Sequence, residues 1–221
     1  LNMSIRIKRL TRNFAAEING VNLSEKIPTR DFLDIKRAFE EYSILVFPNQ
    51  PLTDEQQVVF SQRFGDLENT INSKQQGGAG KPVTVLTNVG KNGEVIAPED
   101  RRMVFNTGNQ MWHTDSSFKP IPAMMSLLSG REVPPEGGET EFASMRAAYE
   151  DLDNDQKSEL EQLICVHDFA YSRSLIDTSL LDKEDKFELP PVRQAMIRKN
   201  PTNNKKNLFL GAHASYIEGW P

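Results

Sequence analysis

The apolar residues of this chain come in short runs that end at proline or glycine. Residues 44–47 are stopped by Pro48, and residues 124–128 lie between Pro122 and Gly130. Runs of this length predict short buried strands, and none approaches the ~20 residues that a membrane-spanning helix needs. The pattern favours an α+β chain with a mainly β core and peripheral helices.

Helix starts are marked by capping residues. Thr53 and Gln56 have the spacing of a capping box, and Gly65 is expected to be the C-cap of the same helix. Ser144 and Asp153 are predicted to be N-caps of two further helices. An earlier helix is predicted from a shared apolar face that consists of Phe32, Ile35 and Phe39.

Strand and turn signals separate these helices. Ile5 and Ile7 alternate with polar residues, as do residues 83–85, which predicts two short strands. Turns are expected at residues 92–93 and 137–138. Residues 69–80 are polar and glycine-rich, which predicts a loop.

Length and charge limit the classes of partner. The 221 residues suit one domain, taken as residues 3–221 with Met3 as the native start, and the net charge is −5 with acidic and basic residues interleaved. Because no basic face or polybasic amphipathic stretch is present, neither nucleic acid nor a membrane is an expected partner. A small molecule is the expected partner. The single cysteine, Cys165, excludes an intrachain disulfide and is consistent with a reducing cytoplasm.

Two residues of the segment Trp112-His113-Thr114-Asp115 have the chemistry of metal ligands. The chain has three histidines, His113, His167 and His213, so an imidazole-based site must use them. In a strand, residues i and i+2 project to the same face, so His113 and Asp115 could bind one cation. A hydrogen-bonded surface pair is the alternative for an isolated His-x-Asp. With a second histidine, such a pair makes the facial triad of iron(II) oxygenases.

Longer segments around this pair resemble the taurine dioxygenase family. The segments are residues 112–118 (WHTDSSF), 134–142 (PPEGGETEF), 145–149 (MRAAY) and 208–215 (LFLGAHAS). The last of them is most similar to the 2,4-dichlorophenoxyacetate/2-oxoglutarate dioxygenase branch, and the resemblance runs nearly end to end. It implies a double-stranded β-helix, a jelly roll with the metal near one mouth and helices outside.

The resemblance also implies roles for individual residues. His113 and Asp115 would hold iron(II), and Thr140 would donate its hydroxyl to the distal carboxylate of 2-oxoglutarate. His213 would line the substrate pocket and donate to a substrate carboxylate, with a purely structural histidine as the alternative. Weaker pocket candidates are Ser117 and Asn109. His167 is expected to be structural.

The third iron ligand and the 2-oxoglutarate-binding arginine of relatives lie in a later segment, which resembles Trp-Asp-Asn-Arg followed by histidine. No such segment precedes Pro221, so the chain is expected to be incomplete at its C-terminus. If these 221 residues were the whole protein, we would expect negligible oxygenase activity and a metal- or ligand-binding jelly roll without turnover.

The implied activity is that of a dioxygenase that uses iron(II), 2-oxoglutarate and O2, with ascorbate as an activator in vitro. The implied substrate is a small carboxylic acid, and an aryloxyacetate would be cleaved to a phenol and glyoxylate. A sulfonate dioxygenase similar to the taurine enzymes is the alternative, because the iron motif does not encode the substrate. The resemblance is also compatible with a homo-oligomer, although no periodic apolar face indicates one.

Overall fold

The computed structural model describes residues 5–68, 83–183 and 188–221. These residues form six α-helices and eight short strands, so the chain mixes both element types. They divide into two compact units. In the described part of the chain, no helix is long and apolar enough to cross a membrane.

Of the described residues, the first unit contains residues 5–67, 127–151 and 199–206. Its sheet consists of β1 (Arg6–Arg9), β2 (Ala16–Asn19) and β3 (Leu45–Val46), with β2 antiparallel to β1 and parallel to β3. Its helices are α1 (Thr29–Tyr42), α2 (Asp54–Gln62) and α4 (Met145–Glu150). The core of this unit is made of apolar side chains from the sheet, from α1 and α2, and from the loops between them: Ile18, Leu23, Ile27, Phe32, Ile35, Ala38, Leu52 and Phe60.

Of the described residues, the second unit contains residue 68 and residues 83–126, 152–183, 188–198 and 207–221. Its sheet has the order β5-β4-β8, in which β4 (Ile164–His167) pairs antiparallel with both β5 (Val192–Ala195) and β8 (Ala214–Ile217). Its helices are α3 (Arg101–Asn106), α5 (Asn154–Leu160) and α6 (Phe169–Ser174), and a 3-10 helix follows α3 at Thr107–Gln110. A second core lies here, with Phe105, Phe118, Phe169, Leu180 and Leu181 buried together. Two further strands, β6 (Ile197–Lys199) and β7 (Lys206–Leu208), pair with each other.

Most of the local capping signals are confirmed. Thr53 and Gln56 form the complete capping box of α2, and Ser144 and Asp153 cap α4 and α5. Ile7 lies in β1, and α1 buries Phe32 and Ile35. Gly137 and Gly138 both have positive φ (78° and 73°), which fits the predicted turn. Val89 and Val95 form a bridge on either side of the turn at residues 92–93.

Several strand predictions are wrong. Residues 84–87, 112–114 and 125–128 have no regular secondary structure, and residues 115–118 form a turn. Isolated apolar alternation did not suffice there, because a strand also needs a neighbouring strand to accept its backbone hydrogen bonds. The C-cap of α2 is Arg63, not Gly65. The predicted loop at residues 69–80 lies outside the described residues.

Candidate metal centre

His113 and Asp115 come together although they do not lie on a strand. The His113 Nε2 atom is 3.2 Å from the Asp115 Oδ1 atom. The His113 Nδ1–H donates to the Met111 carbonyl oxygen at 2.7 Å, so Nε2 is the ring nitrogen that faces Asp115. Orientation of a ligating histidine by a hydrogen bond from its other ring nitrogen is the usual arrangement at protein metal sites.

The Asp115 carboxylate is oriented by Ser126. The Ser126 hydroxyl donates to Asp115 Oδ2 at 2.7 Å, so Oδ1 is the oxygen left beside the imidazole. The side chains of His113 and Asp115 remain 27% and 58% exposed, which leaves a cation room to approach. One imidazole nitrogen and one carboxylate oxygen suit iron(II). Within residues 5–68, 83–183 and 188–221, no cluster of three potential ligands is present.

The two groups also shift each other's pKa. The hydrogen bond to Asp115 raises the pKa of His113, against an opposing effect of burial. The same hydrogen bond lowers the pKa of Asp115, and the bond from Ser126 lowers it further. The two side chains thus already share a proton in a hydrogen bond. A metal ion bound to both would take the place of that proton.

A tight turn carries Asp115 and the residues after it. Ser116 has a φ of 57°, a conformation that costs energy for a residue other than glycine. Its hydroxyl donates to the Glu68 carboxylate at 2.8–2.9 Å, and the Lys119 amine contacts the same carboxylate. The Lys119 N–H closes the turn by donating to the Ser116 carbonyl oxygen at 2.9 Å. These contacts hold the strained residue next to Asp115.

The backbone of His113 is in close contact with residues 211–212. The Ala212 N–H donates to the Trp112 carbonyl oxygen at 2.9 Å. A Cβ atom on Gly211 would lie 2.9 Å from His113 Cα and 3.2 Å from Thr114 N. Since only a residue without a Cβ permits this approach, Gly211 is required by the position of the ligand pair.

Ser117 and His167 anchor the far end of the turn to the sheet. Ser117 is 1% exposed, and its hydroxyl is hydrogen-bonded to His167 Nδ1 at 2.9 Å. The Gln194 side chain, on β5, donates to the carbonyl oxygens of Ser117 and Lys119 at 3.0 and 2.9 Å. Burial lowers the pKa of His167. The structure therefore gives Ser117 an evident structural partner, and its role in substrate binding stays a prediction.

His213 lies beside the ligand pair. It is 5% exposed, and its ring centroid is 6.0 Å from that of His113. Its Nδ1 is hydrogen-bonded to the Ser172 hydroxyl at 2.9 Å. Burial, followed by the nearby Arg173 charge, lowers the pKa of His213 to about 3, so the imidazole is neutral at neutral pH. A neutral ring has one nitrogen left with which it could contact a substrate.

The two other predicted site residues, Asn109 and Thr140, are exposed. Asn109 lies in the exposed part of the 3-10 helix Thr107–Gln110, in the second unit. Thr140 is exposed and lies outside regular secondary structure in the first unit. Their roles toward substrate and 2-oxoglutarate stay predictions.

The sequence reading missed Ser126, Gly211 and Arg173. Arg173 is 7% exposed, and burial lowers its pKa to about 10. A serine, a glycine and an arginine at these separations from the His-x-Asp segment give no local pattern. The segment 208–215 was recognised as a motif, but only the structure shows that its glycine contacts the His113 backbone.

Comparisons with known proteins point to one family. The family model "Taurine catabolism dioxygenase TauD, TfdA family" matches residues 6–221. The alpha-ketoglutarate-dependent 2,4-dichlorophenoxyacetate dioxygenase of Cupriavidus pinatubonensis is 38% identical over 99% of this chain and 77% of its own length. The (S)-phenoxypropionate/alpha-ketoglutarate-dioxygenase of Sphingobium herbicidovorans is 35% identical over 96% of this chain and 72% of its own length.

A solved structure is similar over the same span. The crystal structure of AAD-2 in complex with Mn(II) and N-oxalylglycine superimposes with a TM-score of 0.87 at 40% identity, and the match covers 99% of this chain and 75% of that protein. The chain thus spans about three quarters of the length of these relatives.

Proposed function

Because this chain belongs to the taurine catabolism dioxygenase TauD, TfdA family, we propose that it is an iron(II)- and 2-oxoglutarate-dependent dioxygenase that acts on a small carboxylic acid. The observation that carries the proposal is the pair of potential ligand atoms, His113 Nε2 and Asp115 Oδ1, at 3.2 Å. Both side chains are oriented by a second hydrogen bond, from His113 to Met111 and from Ser126 to Asp115. We further propose that the strands belong to the jelly roll that the family resemblance implies.

The donor set fits iron(II). His113 and Asp115 would hold the metal, and Thr140 would donate to the distal carboxylate of 2-oxoglutarate. When bound, the iron and its co-substrate supply the activation of oxygen, while the protein supplies orientation. His113 contributes Nε2, because its Nδ1–H stays on the Met111 carbonyl oxygen. Asp115 contributes Oδ1, because Ser126 occupies Oδ2.

The proposed substrate is an aryloxyacetate, the class named for the relative at 38% identity. The relative at 35% identity is named for the related acid (S)-phenoxypropionate. Hydroxylation of the carbon between the ether oxygen and the carboxylate would give a hemiacetal, and its collapse would release a phenol and glyoxylate. In this proposal, the aromatic side chains beside His213 would contact the aryl group. The Phe118 and Phe169 ring centroids lie 4.7 and 5.8 Å from that of His213.

A coupled assay tests the proposal. Purified protein with iron(II), ascorbate, O2 and 2-oxoglutarate should form succinate when phenoxyacetate is added, with an equal amount of phenol. Sulfite release from taurine, without phenol release from phenoxyacetate, would favour the sulfonate alternative. If none of the carboxylates and sulfonates tested stimulates succinate formation, the proposed activity is wrong.

A further inference from the structure

Arg173 is a buried cation without an acidic partner among the described residues. It lies near the end of α6 and is 7% exposed. Its Nη1 donates to the Phe105 carbonyl oxygen at 3.3 Å, while its Nε has no hydrogen-bond acceptor in the described ranges. The guanidinium lies 4.6 and 4.8 Å from the ring centroids of Phe105 and Phe169. Aromatic faces and one carbonyl oxygen partly compensate a buried charge, but they do not neutralise it.

The surrounding chain makes room for this charge. A Cβ on Gly108 would lie 1.4 Å from Arg173 Nη1, so the glycine is needed for the guanidinium to occupy its position. Replacement of a buried charge by an apolar side chain of similar volume is often neutral or stabilising. The buried guanidinium is therefore not explained by a contribution to the stability of the fold. We interpret it as a residue that acts on a bound ligand.

The charge lies close to the candidate metal centre, within the same unit. The Phe169 ring centroid lies 4.8 Å from the Arg173 guanidinium and 5.8 Å from the His213 ring centroid. The His213 ring is in turn 6.0 Å from that of His113. A single phenylalanine ring therefore lies between the Arg173 guanidinium and the His213 imidazole.

A positive charge near the binding position favours a carboxylate substrate over a neutral one. Asp115 is itself an anion, and Nδ1 of His213 is already bonded to Ser172, so His213 can offer one hydrogen bond at most. We propose that Arg173 is a specificity-determining residue whose buried positive charge favours a substrate carboxylate over a neutral group bound beside His213. This inference rests on the proposed function, because that function makes the substrate an acid.

Binding measured without turnover tests the inference. The dissociation constants of phenoxyacetate and of the neutral phenoxyacetamide are measured by calorimetry on the Zn(II)-loaded protein with 2-oxoglutarate present. Arg173→Met should weaken phenoxyacetate binding roughly tenfold, the size expected for one charged interaction, and leave phenoxyacetamide binding unchanged. Its thermal midpoint should equal or exceed that of the wild type. Arg198→Met is the matched control, because Arg198 lies over the Phe209 ring at 4.5 Å but is only half-buried; both dissociation constants should stay as in the wild type.

Equal weakening of both ligands, or an unchanged preference for the acid, would overturn the inference. If Arg173→Met fails to fold, the same two dissociation constants are measured for Arg173→Lys, which keeps the positive charge. A retained preference for phenoxyacetate over phenoxyacetamide supports the role of the charge, and a lost preference overturns it. The succinate assay separates this inference from the proposed activity. A wild type that prefers phenoxyacetate but forms no succinate would refute the activity alone, whereas a wild type that does not prefer the acid would refute the inference.

Discussion

Gly211→Ala is expected to damage the metal centre without touching a ligand side chain. The added Cβ would lie 2.9 Å from His113 Cα and 3.2 and 3.3 Å from the Thr114 nitrogen and the His113 carbonyl carbon. All three are backbone atoms, so the strain cannot be relieved by a change of rotamer. Restoring ordinary carbon–carbon contact at 3.5 Å or more requires the two segments to separate by roughly half an ångström.

The cost of this separation can be estimated. Overpacking of this kind typically costs about 1–3 kcal/mol, and the hydrogen bond from Ala212 N–H to the Trp112 carbonyl oxygen would lengthen from its 2.9 Å. Because the displaced residue is His113, we expect Mn(II) binding to weaken roughly tenfold, as for other disturbances around metal ligands. Urea unfolding measures the first effect, and Mn(II) titration followed by electron paramagnetic resonance measures the second.

Gly130→Ala is the matched control. Its added Cβ would meet a side-chain carbon of Val133 at 3.3 Å, and its φ is not in the left-handed region. It should therefore leave Mn(II) affinity unchanged. Wild-type stability and wild-type Mn(II) affinity in Gly211→Ala would refute the argument that this glycine sets the position of His113.

Three further outcomes are expected. Ser126→Ala should weaken Mn(II) binding roughly tenfold by releasing Asp115, while Ser174→Ala, which removes an exposed helical hydroxyl, should not; equal affinities in both variants would contradict the orientation of Asp115. Thr140→Ala should raise the KM for 2-oxoglutarate roughly tenfold in the succinate assay with Mn(II) affinity unchanged, and Thr140→Ser should restore it; a KM unaffected by either change would remove Thr140 from the site. Because the folded-state pKa of His213 is about 3, below the 6.5 of the unfolded chain, the unfolded state binds more protons between these values. The stabilisation is complete above pH 6.5 and falls by about 2 kcal/mol at pH 5. Urea unfolding at pH 7 and pH 5 should therefore show a smaller pH dependence for His213→Gln, and an unchanged dependence would show that His213 is not held neutral by the fold.

Local signals in the sequence predicted local structure well. The capping box of Thr53 and Gln56 and the N-caps Ser144 and Asp153 are confirmed, because each depends on hydrogen bonds within one turn of helix. The proximity of His113 and Asp115 was also predicted, although for a partly wrong reason. Their two-residue spacing predicts that they share one face of a strand, whereas the structure brings them together at the start of a turn.

The remainder of the site depends on contacts that are distant in sequence. Gly211 packs against the His113 backbone, and Gln194 bonds the carbonyl oxygen of Ser117 from a strand 77 residues away. Neither contact produces a periodic pattern in the sequence from which it could be predicted. Arg173 could have been noted as an arginine within an apolar segment, but its burial follows only from Gly108 and the two phenylalanine rings.

The most direct test of the metal centre is pulsed electron paramagnetic resonance on the Mn(II)-loaded protein. We expect modulation from a directly bound imidazole nitrogen, diminished in His113→Ala and retained in His167→Gln, whose ring bonds Ser117 in the wild type. An imidazole signal of wild-type intensity in His113→Ala would contradict the assignment of His113 as a metal ligand, and with it the proposed metal centre.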